Sequence, residues 1–288
     1  MNRAEIRSLV YSLIGQVQSN TNYDSDYINL QIKEGYQTIC SWSDNAWEWL
    51  IEETKIKNPY TTVSSASTGT TLVATSTDNM YENQKVYVSD GNIYEEVKIS
   101  SITEGTLTLT GAGLTGTYPS DSYIIGRHLI LPSDFREIIN CKAEYVSGTN
   151  QIFYILKRST EQEIDENHPI ITTISTPTHY FIRNAGSGGY SGLFIYPLPD
   201  AAWNFEIKYI KTPADLTDAT SPVLPLRYHE TIAYYTAVNM LKSDPRSRGS
   251  WQISAWEKHF LFLLNQMNNE NQKKIGYMPR FKIEGEGL

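Results

Sequence analysis

The hydrophobic period changes twice along this chain of 288 residues. Near both ends, apolar residues recur every three or four positions, which is typical of helices that bury one face. Between Pro59 and Ile210 they instead form short runs and alternations, which are typical of strands. The chain is therefore predicted to have helices at both ends, packed into one core, with strands between them.

The N-terminal segment predicts a helical hairpin over Ala4–Trp49. Asn2 and Glu5 have the spacing of a capping box, which starts a helix by satisfying its first backbone N–H groups. Asn20–Asn22 separates the two helices. The first apolar stripe is Ile6, Leu9, Val10, Leu13, Ile14 and Val17, and the second is Ile28, Ile32, Gly35, Tyr36 and Ile39, continuing toward Trp42 and Trp47.

The C-terminal segment predicts a second helical pair, which begins after Leu224-Pro225 and is divided at Lys242–Pro245. Its two stripes complete the core that the N-terminal hairpin begins. The first stripe is Leu226, Ala233, Tyr234, Ala237, Val238 and Leu241, and the second is Ile253, Trp256, Phe260, Leu263, Leu264 and Met267.

The middle of the chain predicts β-structure in two parts. Asp90-Gly91 and Glu104-Gly105 are turn sequences between strand patterns, because they accept positive φ angles. Residues 59–126 are acidic and rich in Thr, Ser and Gly, and they read as a small all-β domain, a barrel or sandwich, inserted into a loop of a host domain. The host strands are predicted at 138–146, 179–183, 192–196 and 203–210.

The predicted fold class is α+β: a helical bundle of N- and C-terminal helices, a β-region between them and the inserted β-domain. Residues 1–58 and 127–272 form the discontinuous core, 59–126 the insert and 273–288 an extended C-terminal arm.

The composition limits the classes of function. A net charge of −8 argues against general affinity for nucleic acid, because binding to phosphates depends on Lys and Arg. Cys40 and Cys141 do not form a disulfide framework, which favours a reducing compartment. The sequence starts without the pattern of a signal peptide and has no apolar run long enough to span a bilayer. We expect a soluble protein, made and assembled in the cytoplasm, without a membrane partner.

The residues that could carry chemistry form no recognisable site. The five histidines and two cysteines lack metal-ligand spacing, so no metal or cofactor is expected. Gly186–Gly189 is not followed by the Gly-Lys-Ser/Thr sequence that ends a phosphate-binding loop. Glu95 and Glu96 point to opposite faces of a strand, whereas Glu137 follows Asp134 in a turn or capping arrangement. The chain is therefore predicted not to be an enzyme.

The segment from Lys273 to Leu288 is the candidate binding site. Gly276 and Pro279 prevent it from continuing the helix, and large apolar residues alternate with positive charge. Such a segment can lie in a groove or add a strand to the sheet of a partner, or it can fold back over its own subunit. The candidate partner-binding residues are Ile275, Tyr277, Met278, Arg280, Phe281 and Ile283.

Three stretches resemble the head–tail connector, or adaptor, proteins of tailed bacteriophages, including the tail tubular protein A-like group. The first is the helical hairpin Ala4–Trp49. The second is Leu131-Pro132-Ser133-Asp134-Phe135-Arg136-Glu137, followed by Tyr180–Ile182 and Leu193–Pro197. The third is Leu224-Pro225-Leu226-Arg227-Tyr228-His229-Glu230 with Ala233-Tyr234-Tyr235.

This resemblance implies a virion subunit at the head–tail junction, in a ring of twelve copies beneath the portal protein. The ring would continue the DNA channel, let DNA pass without specific contacts and dock the tail or nozzle proteins. The C-terminal arm lies where such proteins reach toward the portal. Two alternatives stay open: a carbohydrate-binding or carbohydrate-cleaving tail component, since Tyr and Trp stack on sugars, and another virion ring such as a tail-completion protein.

Overall fold

The computed structural model has helices at both ends of the chain and strands between them. It describes residues 1–15, 23–42, 47–126, 128–147, 150–167, 173–184, 191–244 and 251–275. The fold class is α+β, as the sequence predicts, with five helices and several sheets in the described residues. The chain divides into two compact units, one of residues 1–51 and 211–288 and one of residues 52–210.

The first unit contains four of the described helices, and the second contains one. Those of the first unit are α1 (Arg3–Leu13), α2 (Ser25–Ser41), α4 (His229–Ser243) and α5 (Trp251–Ile275), and that of the second is α3 (Glu161–Asn167). The predicted capping box is confirmed: the Asn2 side chain accepts from the Glu5 N–H at 3.0 Å, and the Glu5 carboxylate accepts from the Asn2 N–H at 2.9 Å. Val17 and Asn20–Asn22 lie outside the described residues.

Helix α2 approaches α4 most closely at Gly35. Every residue of the predicted stripe on α2, from Ile28 to Ile39, is buried. A β-carbon on Gly35 would lie 2.9 Å from the ring of Tyr235 and 3.1 Å from the Thr236 hydroxyl. That hydroxyl donates to the Gln31 carbonyl of α2 at 3.4 Å. The glycine thus allows two helices that are distant in sequence to come into contact.

Two predictions at the C-terminal helices were wrong in detail. Leu226 is 70% exposed and lies in a 3₁₀ turn, Leu226–Tyr228, before α4; Leu224 is buried in its place. The predicted arm starts too early, because α5 continues through Lys273 and Lys274 to Ile275. Lysine is a good helix former, so Gly276 is the first residue that opposes the helix.

The second unit contains nearly all of the strands. Its first sheet has the order β1 (Ile51–Lys57), β18 (Asn204–Lys211), β11 (Phe135–Ser147) and β12 (Asn150–Ile155). A second sheet has the order β10 (His128–Ile130), β16 (Ser191–Tyr196), β15 (His179–Asn184) and β13 (Lys157–Arg158). A two-stranded sheet joins β14 (Ile174–Ser175) to β17 (Leu198–Pro199). The first two sheets share a core that includes Cys141, Tyr180, Leu193 and Phe205.

Residues 60–126 form an eight-stranded sheet of their own. Its order is β2 (Tyr60–Thr62), β9 (Tyr123–Gly126), β5 (Lys85–Ser89), β6 (Tyr94–Thr103), β7 (Thr106–Leu109), β4 (Thr71–Val73), β3 (Ser67–Gly69) and β8 (Leu114–Tyr118). The hairpins predicted at Asp90-Gly91 and Glu104-Gly105 are confirmed, since each turn joins two paired strands.

The carboxylate of Glu95 on β6 binds to β8, so that this sheet curls. Glu95 accepts from the backbone N–H groups of Thr115 and Gly116, each at 2.7 Å, and from the Thr115 hydroxyl at 2.8 Å. Desolvation by itself would raise the pKa of Glu95, but these hydrogen bonds to the ionised form hold it below its usual range. Glu95 therefore stabilises the β-structure and is not available for chemistry.

The close contact at Gly35 gives a testable prediction. Replacing Gly35 with Leu places a side chain against Tyr235 and Thr236, so we expect the free energy of unfolding to fall by about 1–3 kcal/mol or more. Urea denaturation followed by circular dichroism measures this change. Gln37→Leu, at an exposed position of α2, is the matched control and should have little effect. Equal stability of the two variants would contradict the close-contact interpretation.

Candidate interaction surfaces

The predicted arm leaves the end of helix α5. Ile275 is the last residue of that helix. Tyr277, Met278, Arg280, Phe281 and Ile283 lie outside the described residues, so the structure does not test their predicted role in binding. What the structure does describe is how the base of the arm is held.

Helix α5 is fixed against α4 by aromatic and aliphatic packing. Its buried apolar residues are Ile253, Phe260, Leu264 and Met267. Tyr234 of α4 contacts the ring of Trp256, and Tyr235 contacts that of Phe260. Toward the C-terminus of α5, the amide of buried Asn271 accepts a hydrogen bond from the Glu48 N–H at 2.8 Å. The last turns of α5 are therefore tied to the segment that precedes β1.

The start of α4 contains a buried histidine. His229 is 3% exposed, and its Nε2 lies 2.7 Å from the Leu224 carbonyl. Burial lowers the pKa of His229 below 6.5, because the protonated ring loses hydration. The neutral ring, donating from Nε2, is the form that this environment favours. His229 therefore has a structural role at the point where the C-terminal helices begin.

The opposite face of α5 exposes large apolar residues. Trp251 is 74% exposed, Phe262 55% and Leu261 43%. Single exposed apolar residues are common on protein surfaces, but aromatic residues are also enriched where partners bind. This face is the first candidate surface, and its sequence signal is the apolar run Phe260–Leu264, which is too wide for one buried stripe.

The second candidate surface is strand β12, which the sequence analysis missed. β12 is an outer strand of its sheet in the described part of the chain and pairs antiparallel with β11. Four consecutive residues, Ile152, Phe153, Tyr154 and Ile155, are 42%, 49%, 42% and 75% exposed. Side chains on both faces of this strand are thus open. The run of β-branched and aromatic residues was the available signal.

Beside β12, the outer face of the same sheet carries a network of charges. Glu144, whose side chain is only 3% exposed, accepts from Lys55 Nζ at 2.9 Å and from Gln151 Nε2 at 3.0 Å. Lys142 donates to Glu206 at 2.7 Å, which lowers the pKa of that carboxyl. The hydrogen bond to Glu144 likewise raises the pKa of Lys55. These ion pairs connect β1, β18 and β11 in one row.

A third group of exposed residues lies on the eight-stranded sheet. Ile93 is 60% exposed, Tyr94 53% and Tyr123 42%. Tyr94 and Tyr123 both pair with Ser89, from opposite sides, and Tyr60 contacts the Tyr123 ring. Carbohydrate binding, the alternative that the Tyr and Trp content suggests, stays a prediction.

The polar residues considered for catalysis have other partners. Glu96 pairs with Lys85, Glu137 with Arg158 at 3.9 Å, and Asp134 accepts from the Tyr209 hydroxyl. Among the described residues, no group of three or more His, Cys, Asp or Glu could hold a metal ion. Gly186–Gly189 and His168 lie outside the described part of the chain.

Cys40 and Cys141 are buried and unbridged. Burial raises the pKa of the Cys141 thiol to about 12, so this thiol is not a poised nucleophile. None of the helices in the described ranges combines the length and the apolarity that a bilayer crossing requires.

The pKa of His229 gives a prediction about pH. Because its pKa is lower in the folded chain than in the unfolded chain, the contribution of His229 to stability is complete above about pH 6.5 and declines as the pH falls below that value. His229→Asn, which cannot be protonated, should flatten this decline. Urea denaturation at pH 7.5 and pH 5.5 measures the two slopes, and equal slopes for variant and wild type would contradict the prediction.

Comparison with known proteins gives one family. The model of the family described as SU10 adaptor protein matches residues 92–279, which is more than half of the chain. The match includes β11, β12, α4 and α5. No curated protein matches the chain.

Proposed function

Because the chain belongs to the SU10 adaptor protein family, a family of phage adaptors, we propose that it forms a ring beneath the portal of a tailed phage. In this proposal, the ring holds twelve copies, continues the DNA channel and docks the tail or nozzle proteins. Its place in the particle is the head–tail junction, after assembly in the host cytoplasm. The observation that carries the proposal is the family match over residues 92–279.

The charge of the chain supports a role in passing DNA. With a net charge of −8, the subunit repels the phosphate backbone more than it attracts it. A channel that DNA must leave rapidly needs this property, whereas a protein that binds DNA needs the opposite. Such a ring requires no catalytic group, which agrees with the structural role of the family.

The C-terminal arm is the proposed contact with the portal. Asn271 and the packing of α5 on α4 hold the helix that precedes it, so the arm begins from a fixed base. Tyr277, Phe281 and Ile283 are the proposed apolar anchors, and Arg280 adds a charge that can pair with portal carboxylates.

Assembly on the portal is the test. We expect the full chain to form ring-shaped complexes with purified portal protein from the same phage, seen by mass photometry and negative-stain microscopy. Deleting residues 276–288, which starts beyond the last residue of α5, should abolish these complexes and leave the circular dichroism spectrum and thermal unfolding unchanged.

Two substitution variants separate the contributions within the arm. Replacing Tyr277, Phe281 and Ile283 with Ser should weaken portal binding about as much as the deletion, because the anchors supply most of the buried area. Replacing Arg280 and Lys282 with Ser should have a smaller effect that increases at low salt. A full chain that stays monomeric with portal present would overturn the proposed function.

Residues 59–126 are proposed to be an inserted domain on the outside of the ring. The two ends of this segment meet: the Gly126 N–H donates to the Pro59 carbonyl at 2.7 Å, and β2 pairs with β9. Its own core includes Val86, Ile99 and Ile124. Adjacent ends and a separate core are the features of an insertion that can fold alone.

The insertion proposal predicts that residues 59–126, expressed alone, form a folded protein. A cooperative thermal transition and dispersed amide signals in an NMR spectrum would support it. As a control, Glu95→Gln in the same fragment should lower the transition temperature, because it removes charge from the hydrogen bonds to Thr115 and Gly116. A fragment without a cooperative transition would show that the segment depends on the rest of its unit.

A further inference from the structure

The exposed strand β12 lacks the features by which proteins protect the edge of a sheet. Outer strands commonly carry charged residues, proline or bulges, because an unpaired edge invites another strand. The sequence of β12 is Asn-Gln-Ile-Phe-Tyr-Ile, without charge or proline. The other outer strand of the sheet, β1, reads Ile-Glu-Glu-Thr-Lys-Ile-Lys and is rich in charge. One edge of this sheet is therefore protected and the other is open.

The two outer strands run in opposite directions. Glu53 pairs with Lys208 and Lys55 with Glu206, so residue numbers rise along β1 as they fall along β18. β11 also runs antiparallel to β18, since Lys142 contacts Glu206 and Asp134 contacts Tyr209. β12 is antiparallel to β11. A β1 strand added beside β12 with the direction that the sheet already has would therefore pair antiparallel.

We infer that this sheet continues from copy to copy in the ring, with β12 of one copy pairing antiparallel with β1 of the next. This inference rests on the proposed ring. A ring needs two different surfaces that fit each other, and the two outer strands of one sheet are such surfaces. Pairing between two β12 strands would instead give a closed dimer.

Charges on the two edges complement each other in this arrangement. Lys55, Glu206, Lys142 and Ile155 form one row across the sheet, according to the ion pairs and the strand register. The neighbouring row, two residues further along each strand, contains Glu53 of β1 and Lys208 of β18. Continued across β11 and β12 in the same register, this row reaches the position of Lys157. Lys157 and Arg158, which follow β12 and form β13 of the second sheet, are exposed. In the next copy, the acidic start of β1 would thus lie beside these two cations.

The apolar residues also match. On the face that covers the core, Ala143 pairs with Tyr154, and Ile56 of β1 packs against the same core. Joining β1 of a second copy to β12 would extend this core with Ile56 beside Tyr154. On the outer face, Phe153 would lie beside the stem of Lys57, an arrangement that supports cation–π contact.

Disulfide cross-linking tests the pairing directly. The cysteine pairs are Glu53→Cys with Lys157→Cys, Glu53→Cys with Ile155→Cys, and Lys57→Cys with Ile155→Cys, which sample three neighbouring registers. Within one chain β1 and β12 are three strands apart, about 14 Å at about 4.8 Å per strand, and Lys157 lies two residues beyond the end of β12. A disulfide requires Cα atoms about 4.4–6.8 Å apart, so any cross-link must join two copies.

After mild oxidation of rings on the portal, we expect at least one pair to give a ladder of covalent multimers on a denaturing gel. The corresponding single-cysteine variants and the wild type, whose cysteines are buried, should give none. Rings without a ladder for all three pairs would overturn the inference and leave the proposed function standing. Cross-linked dimers from Phe153→Cys alone would overturn it in favour of pairing between two β12 strands. Failure of the wild type to form rings would reject the proposed function itself.

A charge on β12 gives an independent readout. Phe153→Lys should reduce the number of rings on the portal at least tenfold and leave the thermal unfolding of the free subunit unchanged, since the side chain is half exposed. Leu30→Lys, at an equally exposed apolar position of α2, is the matched control and should assemble like the wild type. Equal assembly by both variants would contradict the pairing.

Discussion

The close contact of α2 with α4 is the constraint on which the helical unit depends. α4 is buried on most of its circumference. Its buried residues include small ones, such as Ala233, Thr236 and Ala237, as well as larger ones. This composition lets α1, α2 and α5 all approach the same helix. Since α1 and α2 come from the start of the chain and α5 from its end, one helix joins segments separated by about 200 residues. Gly35 removes the side chain that would hold α2 away.

In the second unit, a sheet likewise joins segments that are distant in sequence. Strands β1 and β18 are neighbours in the four-stranded sheet, although the rest of the unit lies between them in sequence. The buried carboxylate of Glu144 makes this sheet sensitive to the charge of Lys55. Removing one member of such a pair is more costly than replacing both, because a buried charge then has no compensating partner. The ion pairs thereby favour this order of the strands on the outer face.

The sequence predicts the four long helices and several of the longer strands, but not α3, most of the short strands or the contacts that assemble these elements. Local patterns sufficed for the capping box at Asn2, the stripe on α2 and the hairpin at Asp90-Gly91. β1 was missed because its charged residues obscure the alternation, and the bonds from Glu95 to Thr115 depend on a close approach between strands that no local pattern reports. At the candidate surfaces, α5 ends beside Gly276, one of the two residues from which the sequence predicts the arm, but the exposed edge of β12 required knowledge of strand order.

The different composition of the two sheet edges bears on how the proposed ring would assemble. An apolar edge pairs with any available strand, and this makes it a hazard for aggregation. If its partner edge is charged, pairing is favourable in the orientation that places Glu53 near Lys157. Other orientations are less favourable, because they bring like charges together. Specificity then comes from the charged edge, and affinity comes from the area that the apolar edge buries. A portal that gathers subunits in one orientation would raise their local concentration, so that individually weak edges could pair in sequence around the ring.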